Sequence, residues 1–235
     1  MKPTARRPIR EKEQGTSAAK RAKSMPRAER RKQLLSVARK IIANGGIGAL
    51  TMSRLAQHSG VSKPVVYDHF DNSESVAIAL LNEYFEDSVD LVDKRTKDAN
   101  TLGEYLSIAV DAQFEFHDKD TLSVRGITNG QSSSEQLNKT YREMRQVALE
   151  TFQELLVQQG VPKAAAKAGG FFLTELMSSG VFEFAAKGNA ATAREVLKRM
   201  MIGAINAIVP EKGAKPTTPA KALARSRRLK RLHDN

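Results

Sequence analysis

From Pro26 onward, apolar residues recur at the three- and four-residue spacing of helices that bury one face. Between Arg27 and Ala43, Leu34, Leu35, Ala38, Ile41 and Ile42 share such a face, and Asn44-Gly45-Gly46 offers the left-handed stop that ends a helix. Thr51 then caps a short second helix carrying Leu55 and Ala56 inward, closed by Ser59-Gly60. Ser62 is expected to cap a third, with Val66 and Phe70 turned to the interior.

The same pattern continues downstream. Asp71 with Glu74 reads as a capping box opening a helix to about Lys94, with Val76, Leu80, Leu81 and Phe85 on its buried side. Thr101 with Glu104 opens another that should end near His117, before a short segment around Thr121 to Ile127. Ser132 with Glu135 starts a helix whose stripe is Leu137, Tyr141, Met144, Ala148, Phe152 and Leu155. Val161-Pro162 begins the next, up to Gly188, with proline in the first turn, where its missing N–H is harmless. The last runs from about Ala190 to Val209 and stops at Pro210. No segment shows sustained alternation, so the expected fold is all-α. It comprises an N-terminal three-helix helix-turn-helix unit and a C-terminal helical bundle for regulation and dimerisation.

Charge divides the chain further. Residues 1 to 32 hold 12 basic side chains against 3 acidic, residues 210 to 235 hold 8 against 2, and the stretch between holds 18 against 21. Basic ends on a slightly acidic middle suggest arms that meet polyanions. The resulting division is a disordered basic arm over 1–24, a DNA-binding domain over 25–72 with its motif at 50–70, a linking helix over 73–95, a body over 96–209 and a disordered basic tail over 210–235.

Other chemistries find little support. The chain has no cysteine, and its four histidines, His58, His69, His117 and His233, lack the spacing of a zinc helix. Nucleophile elbows, P-loops and H-E-x-x-H are absent, so no catalytic residues, cofactor or metal are expected. No apolar run reaches the roughly 20 residues needed to cross a bilayer, and no secretory leader is visible, which predicts a cytoplasmic protein without membrane contact.

Function concentrates in LTMSRLAQHSGVSKPVVYDHF, residues 50–70. A short helix, a glycine turn and a second helix present an exposed rod that can enter a major groove, steadied by the helix behind it. Lys63, Pro64, Val65 and Tyr67 should point outward, and an outward valine and proline suit contact with thymine methyls. From Arg27 to about Asp87, with the Gly-Gly helix end, LTMSRLAQHSGVS, YDHF and DNSESV, the chain resembles the TetR family of regulators. One position departs: Ser73 stands where the family often carries lysine. The resemblance implies that Thr51, Ser53, Tyr67 and His69 bind backbone phosphates, with Arg54 as a further contact, while Lys63, Pro64 and Val65 face bases.

The resemblance also implies a body that dimerises through its last two long helices. Gly169, Leu173, Leu176, Leu197, Met201, Ile205 and Ile208 are the expected interface, giving a homodimer on a near-palindromic double-stranded DNA operator. A pocket for a small-molecule effector would draw on Phe114, His117, Arg125, Tyr141, Met144, Phe152, Phe172 and Glu175, which combine aromatic bulk with some polarity. The expected function is a sequence-specific, ligand-responsive repressor. A low-specificity nucleic-acid packaging protein using both basic tails is the alternative.

Overall fold

The computed structural model describes residues 25–128, 134–185 and 189–209, without the side chains of 119–128. The expected arm 1–24, tail 210–235, Gly188, Ser132 and the Arg125 side chain lie outside the described residues. The chain folds into helices α1 (Arg27–Gly45), α2 (Met52–Ser59), α3 (Lys63–Tyr67), α4 (Ser73–Thr96), α5 (Leu102–Thr128), α6 (Glu135–Gln158), α7 (Lys163–Phe184) and α8 (Ala190–Asn206). A 3-10 turn, Ile47–Ala49, follows α1, and no strand occurs among the described residues. Among them too, no helix is long and apolar enough to cross a membrane.

Buried side chains form two clusters. One gathers α1 to the first half of α4: Leu34, Leu35, Ile42, Leu55, Val66, Phe70, Val76, Leu80 and Leu81. The other joins α5 to α8 through Leu106, Phe114, Phe152, Leu155, Leu156, Leu173, Val181, Leu197, Met201 and Ile205. Helix α6 enters both, because Leu137 and Met144 pack into the first cluster and Phe152, Leu155 and Leu156 into the second.

Several helix ends differ from expectation. Helix α4 is capped by Asn72 rather than Asp71: the Asn72 side chain accepts from Ser75 N at 2.8 Å, and Ser75 Oγ accepts from Asn72 N at 3.3 Å. Glu74 is thereby free to accept a hydrogen bond from the Ser134 hydroxyl, which ties the start of α6 to the start of α4. Ser134 itself caps α6, accepting from Leu137 N at 3.0 Å. Helix α5 does not end near His117 but continues to Thr128, since Gly126 alone is too weak a breaker. Pro162 occupies the N-cap of α7, one position before the first turn. Ser62 stands at the N-cap of α3 without a side-chain capping bond.

Candidate nucleic-acid interface and body cavity

The geometry of α2 and α3 follows from a few local bonds. Thr51 is extended, at φ −122°, and its hydroxyl accepts from Arg54 N at 3.1 Å, so α2 begins with a satisfied first turn. Gly60 ends it in the left-handed region at φ 68°, which L-residues adopt only with strain. The chain then reverses, and α3 docks through Val66, fully buried, with Phe70 behind it. Across α3 lies the opposite face: Lys63 and Pro64 are exposed, Val65 is half-buried and Tyr67 is 53% exposed. Thr51, Ser53 and Arg54 are also exposed, at the start of α2. These expected contacts therefore share the outer face of the helix pair.

His69 differs from that group. Its ring is half-buried, and Nδ1 is enclosed without a hydrogen-bond partner. Burial, followed by the fields of Arg27 and Arg31, pushes its pKa below the usual imidazole value, while Asp68 opposes the shift. The arginines come from α1. Arg27 donates to the Asp68 carbonyl at 3.1 Å, and Arg31 donates to the His69 carbonyl at 2.9 Å with its guanidinium 4.3 Å from the centre of the Phe70 ring. Sequence reading passed over both. Their signal was the spacing of Arg27, Arg30 and Arg31, which puts all three on neighbouring positions of one helix face.

A cavity of about 240 Å³ opens between α4, α5, α6 and α7. Phe85, Val89, Tyr105, Met144, Phe152 and Met177 give it apolar walls, and Gln113, His117, Tyr141 and Arg145 bring polar groups. Two of these polar groups reach across to α4. The Tyr84 hydroxyl lies 2.8 Å from His117 Nδ1, and the Gln113 amide donates to Ser88 Oγ at 2.8 Å. Arg145 pairs with Glu175 on α7.

Of the expected pocket residues, His117, Tyr141, Met144 and Phe152 meet at this cavity. The others need correction. Phe114 is buried in the second core under the Arg194 guanidinium, away from the cavity. Phe172, 62% exposed, and Glu175 line a separate groove between α7 and α8. Both depart because α7 turns only Thr174, Met177, Ser178 and Val181 to the cavity.

The expected dimer face is also shifted in register. Leu173, Leu197, Met201 and Ile205 are buried in the subunit's own core, so they cannot form an outer contact surface. The apolar residues that α7 and α8 leave uncovered are Phe171, Phe172, Val196, Met200 and Ile208. Gly169 and Leu176 are half-buried, and Ile208 alone of the expected set is exposed.

Residues 34–86 match the family of bacterial regulatory proteins of the tetR type. The HTH-type transcriptional activator FasR of Mycolicibacterium smegmatis is 33% identical over 106 residues, covering 45% of this chain and 48% of that protein. The match thus spans about half the length of this curated relative. The fatty acid degradation regulator FadR from Bacillus halodurans has a similar structure, with TM-score 0.64 at 20% identity over 74% of this chain and 95% of that one. FadR from Bacillus subtilis in complex with stearoyl-CoA gives TM-score 0.60 at 16% identity over 74% and 98%. At those identities the likeness establishes the fold. Through its N-terminal helix-turn-helix unit, the chain belongs to the TetR family of bacterial regulatory proteins.

Proposed function

We propose that the protein is a ligand-responsive transcriptional repressor that binds a near-palindromic operator as a homodimer. The observation that carries this reading is α3: a helix fixed by buried Val66 and Phe70 that presents Lys63, Pro64, Val65 and Tyr67 outward, beside the exposed start of α2. Its outer residues are free to meet base edges, and Thr51, Ser53 and Arg54 stand where a backbone would pass.

Dimerisation follows from the demand for two reading heads and from the apolar face that α7 and α8 leave open. Phe171, Phe172, Val196, Met200 and Ile208 are more apolar than a solvent surface requires, and the second copy presents the same face in return. The effector is an amphipathic molecule with a hydrocarbon body. The mostly apolar cavity supports that class, as does the stearoyl-CoA bound by the Bacillus subtilis protein of like fold.

Footprinting of the full-length protein across its genome tests the reading. Discrete sites with inverted repeats are expected, released when the effector is added. Uniform binding, or affinity for random duplex equal to that for any site, would favour nucleic-acid packaging instead. Sites whose genes fall silent without the protein would reverse the sign to activation.

A further inference from the structure

The C-terminal end of α3 collects more positive charge than the fold uses. Arg27, Arg30 and Arg31 all act on His69, and Asp68 is the one carboxylate that acts on it. The carbonyls of Asp68 and His69 take one bond each from Arg27 and Arg31. Arg31 is committed there: its Nη1 is bonded, its plane lies over Phe70 and its Nε is enclosed without a partner. Arg27 is not. It is exposed, and an arginine carries five N–H donors, of which one bond to a carbonyl uses a fraction. Beside it the His69 ring keeps an unpartnered nitrogen. Like charges gathered around a half-buried imidazole repel one another, and an arriving anion would relieve all of them at once.

We propose that Arg27 and His69 form a seat for one phosphodiester of the DNA backbone, held in place by Arg31, and that His69 takes up a proton when the phosphate arrives. This rests on the reading that α3 enters a duplex. It goes beyond the phosphate contact that the family resemblance gives His69, because it adds a donor from α1 and couples binding to protonation. In the free protein burial and the arginines keep His69 neutral near pH 7. A phosphate oxygen at the seat raises its affinity for a proton. The favourable contribution is then present in full below the free-state pKa and is lost as pH rises through the bound-state value, so affinity increases toward acid pH.

Fluorescence anisotropy of the full-length protein with a labelled mixed-sequence duplex, over a salt series and between about pH 6 and pH 8, tests the seat where imidazoles titrate. Arg27→Gln should bind about tenfold more weakly and flatten the salt slope by about one unit, as loss of one phosphate contact requires. Arg27→Lys should retain most of the slope, which separates charge from folding. His69→Asn should remove the rise in affinity at acid pH. Added inorganic phosphate should compete no better than sulfate at equal ionic strength; preferential competition by phosphate would make the seat one for the free ion and overturn the DNA assignment. An unchanged slope in Arg27→Gln, or an intact pH profile in His69→Asn, would also overturn it. Absence of duplex binding by the unaltered protein would instead remove the DNA-binding reading itself.

Discussion

Replacing Gly170 by alanine sets two opposing effects against each other, and the structure decides between them. Gly170 lies inside α7, where glycine is worse than alanine by about 1 kcal/mol, so propensity alone favours the substitution. An added Cβ, however, would stand 2.9 Å from Gln153 N, 3.1 Å from Leu149 O and 3.2 Å from Gln153 Cα. All three atoms belong to the backbone of α6, so no rotamer change can clear them. The helices must move apart along their closest line, and overpacking of this kind costs about 1 to 3 kcal/mol. The net expectation is destabilisation by about 1 kcal/mol, which in a domain of this size lowers Tm by about 2 to 4 °C. Gly103 in the first turn of α5 is the control, because nothing lies within 4 Å of its added Cβ and alanine there should stabilise by about 0.4 to 1 kcal/mol. Thermal and urea unfolding at fixed protein concentration, followed by circular dichroism, measure both. If Gly170→Ala is as stable as Gly103→Ala, then α6 and α7 can separate freely and the close backbone contact has no energetic meaning.

Three other outcomes can be checked. Lys63→Ala and Tyr67→Ala should each weaken operator binding by about 1 to 3 kcal/mol with thermal midpoints unchanged, since both side chains are exposed; gel shift on a footprinted site reads this, and full retention of affinity would take α3 out of the interface. On α8, Leu197→Ala should cost about 2 to 5 kcal/mol of stability, whereas Val196→Asp should leave the subunit folded and dissociate the dimer. Light scattering with calorimetry separates the two, and a dimeric Val196→Asp would move the contact face elsewhere. A long-chain acyl thioester at about a hundred times its Kd should stabilise the protein by about 2.7 kcal/mol, and Met144→Trp, which fills the cavity, should abolish the gain. Equal stabilisation of both proteins would place the ligand outside this cavity.

What the sequence made legible was local. Thr51, Gly60, Val66 and Phe70 are close along the chain, and each acts through its own backbone or an adjacent turn, so the helix-turn-helix could be read from residue types alone. Where two neighbours offer the same chemistry, the choice between them belongs to tertiary structure. Asp71 and Asn72 can both cap a helix, and the cap fell to Asn72, with Ser75 answering it, while Glu74 bonded Ser134 on α6. Val196 and Leu197, or Met200 and Met201, are equally apolar. Only the packing of Leu197 against Gly180 sets which of the two stripes lies inside. The cavity was hardest, because it is a space between four helices: the stripe on α6 suggested Tyr141, Met144 and Phe152, but nothing in the sequence placed Gln113 opposite Ser88.

The cavity matters to the proposed mechanism because two of its walls also belong to the DNA-reading unit. Met144 lines the cavity and sits in the first core beside the α4 residues Val76 and Leu80, and Phe85 packs against that same core from α4. Helix α4 has 24 residues, about 36 Å at 1.5 Å per residue, with its first turns in the reading unit and its middle at the cavity. A ligand that fills the space must displace side chains that α4 and α6 share with the head, since close-packed interiors yield by discrete shifts rather than by stretching. The Tyr84–His117 and Ser88–Gln113 bonds tie α4 to α5 at that level, so a polar ligand group that captures His117 or Gln113 loosens one attachment of α4 while its bulk pushes on another. Because Ser134 ties the start of α6 to Glu74 at the start of α4, both helices transmit the displacement to the same end. In a dimer held at α7 and α8, the two heads then change their separation, and an operator with fixed half-site spacing registers the difference.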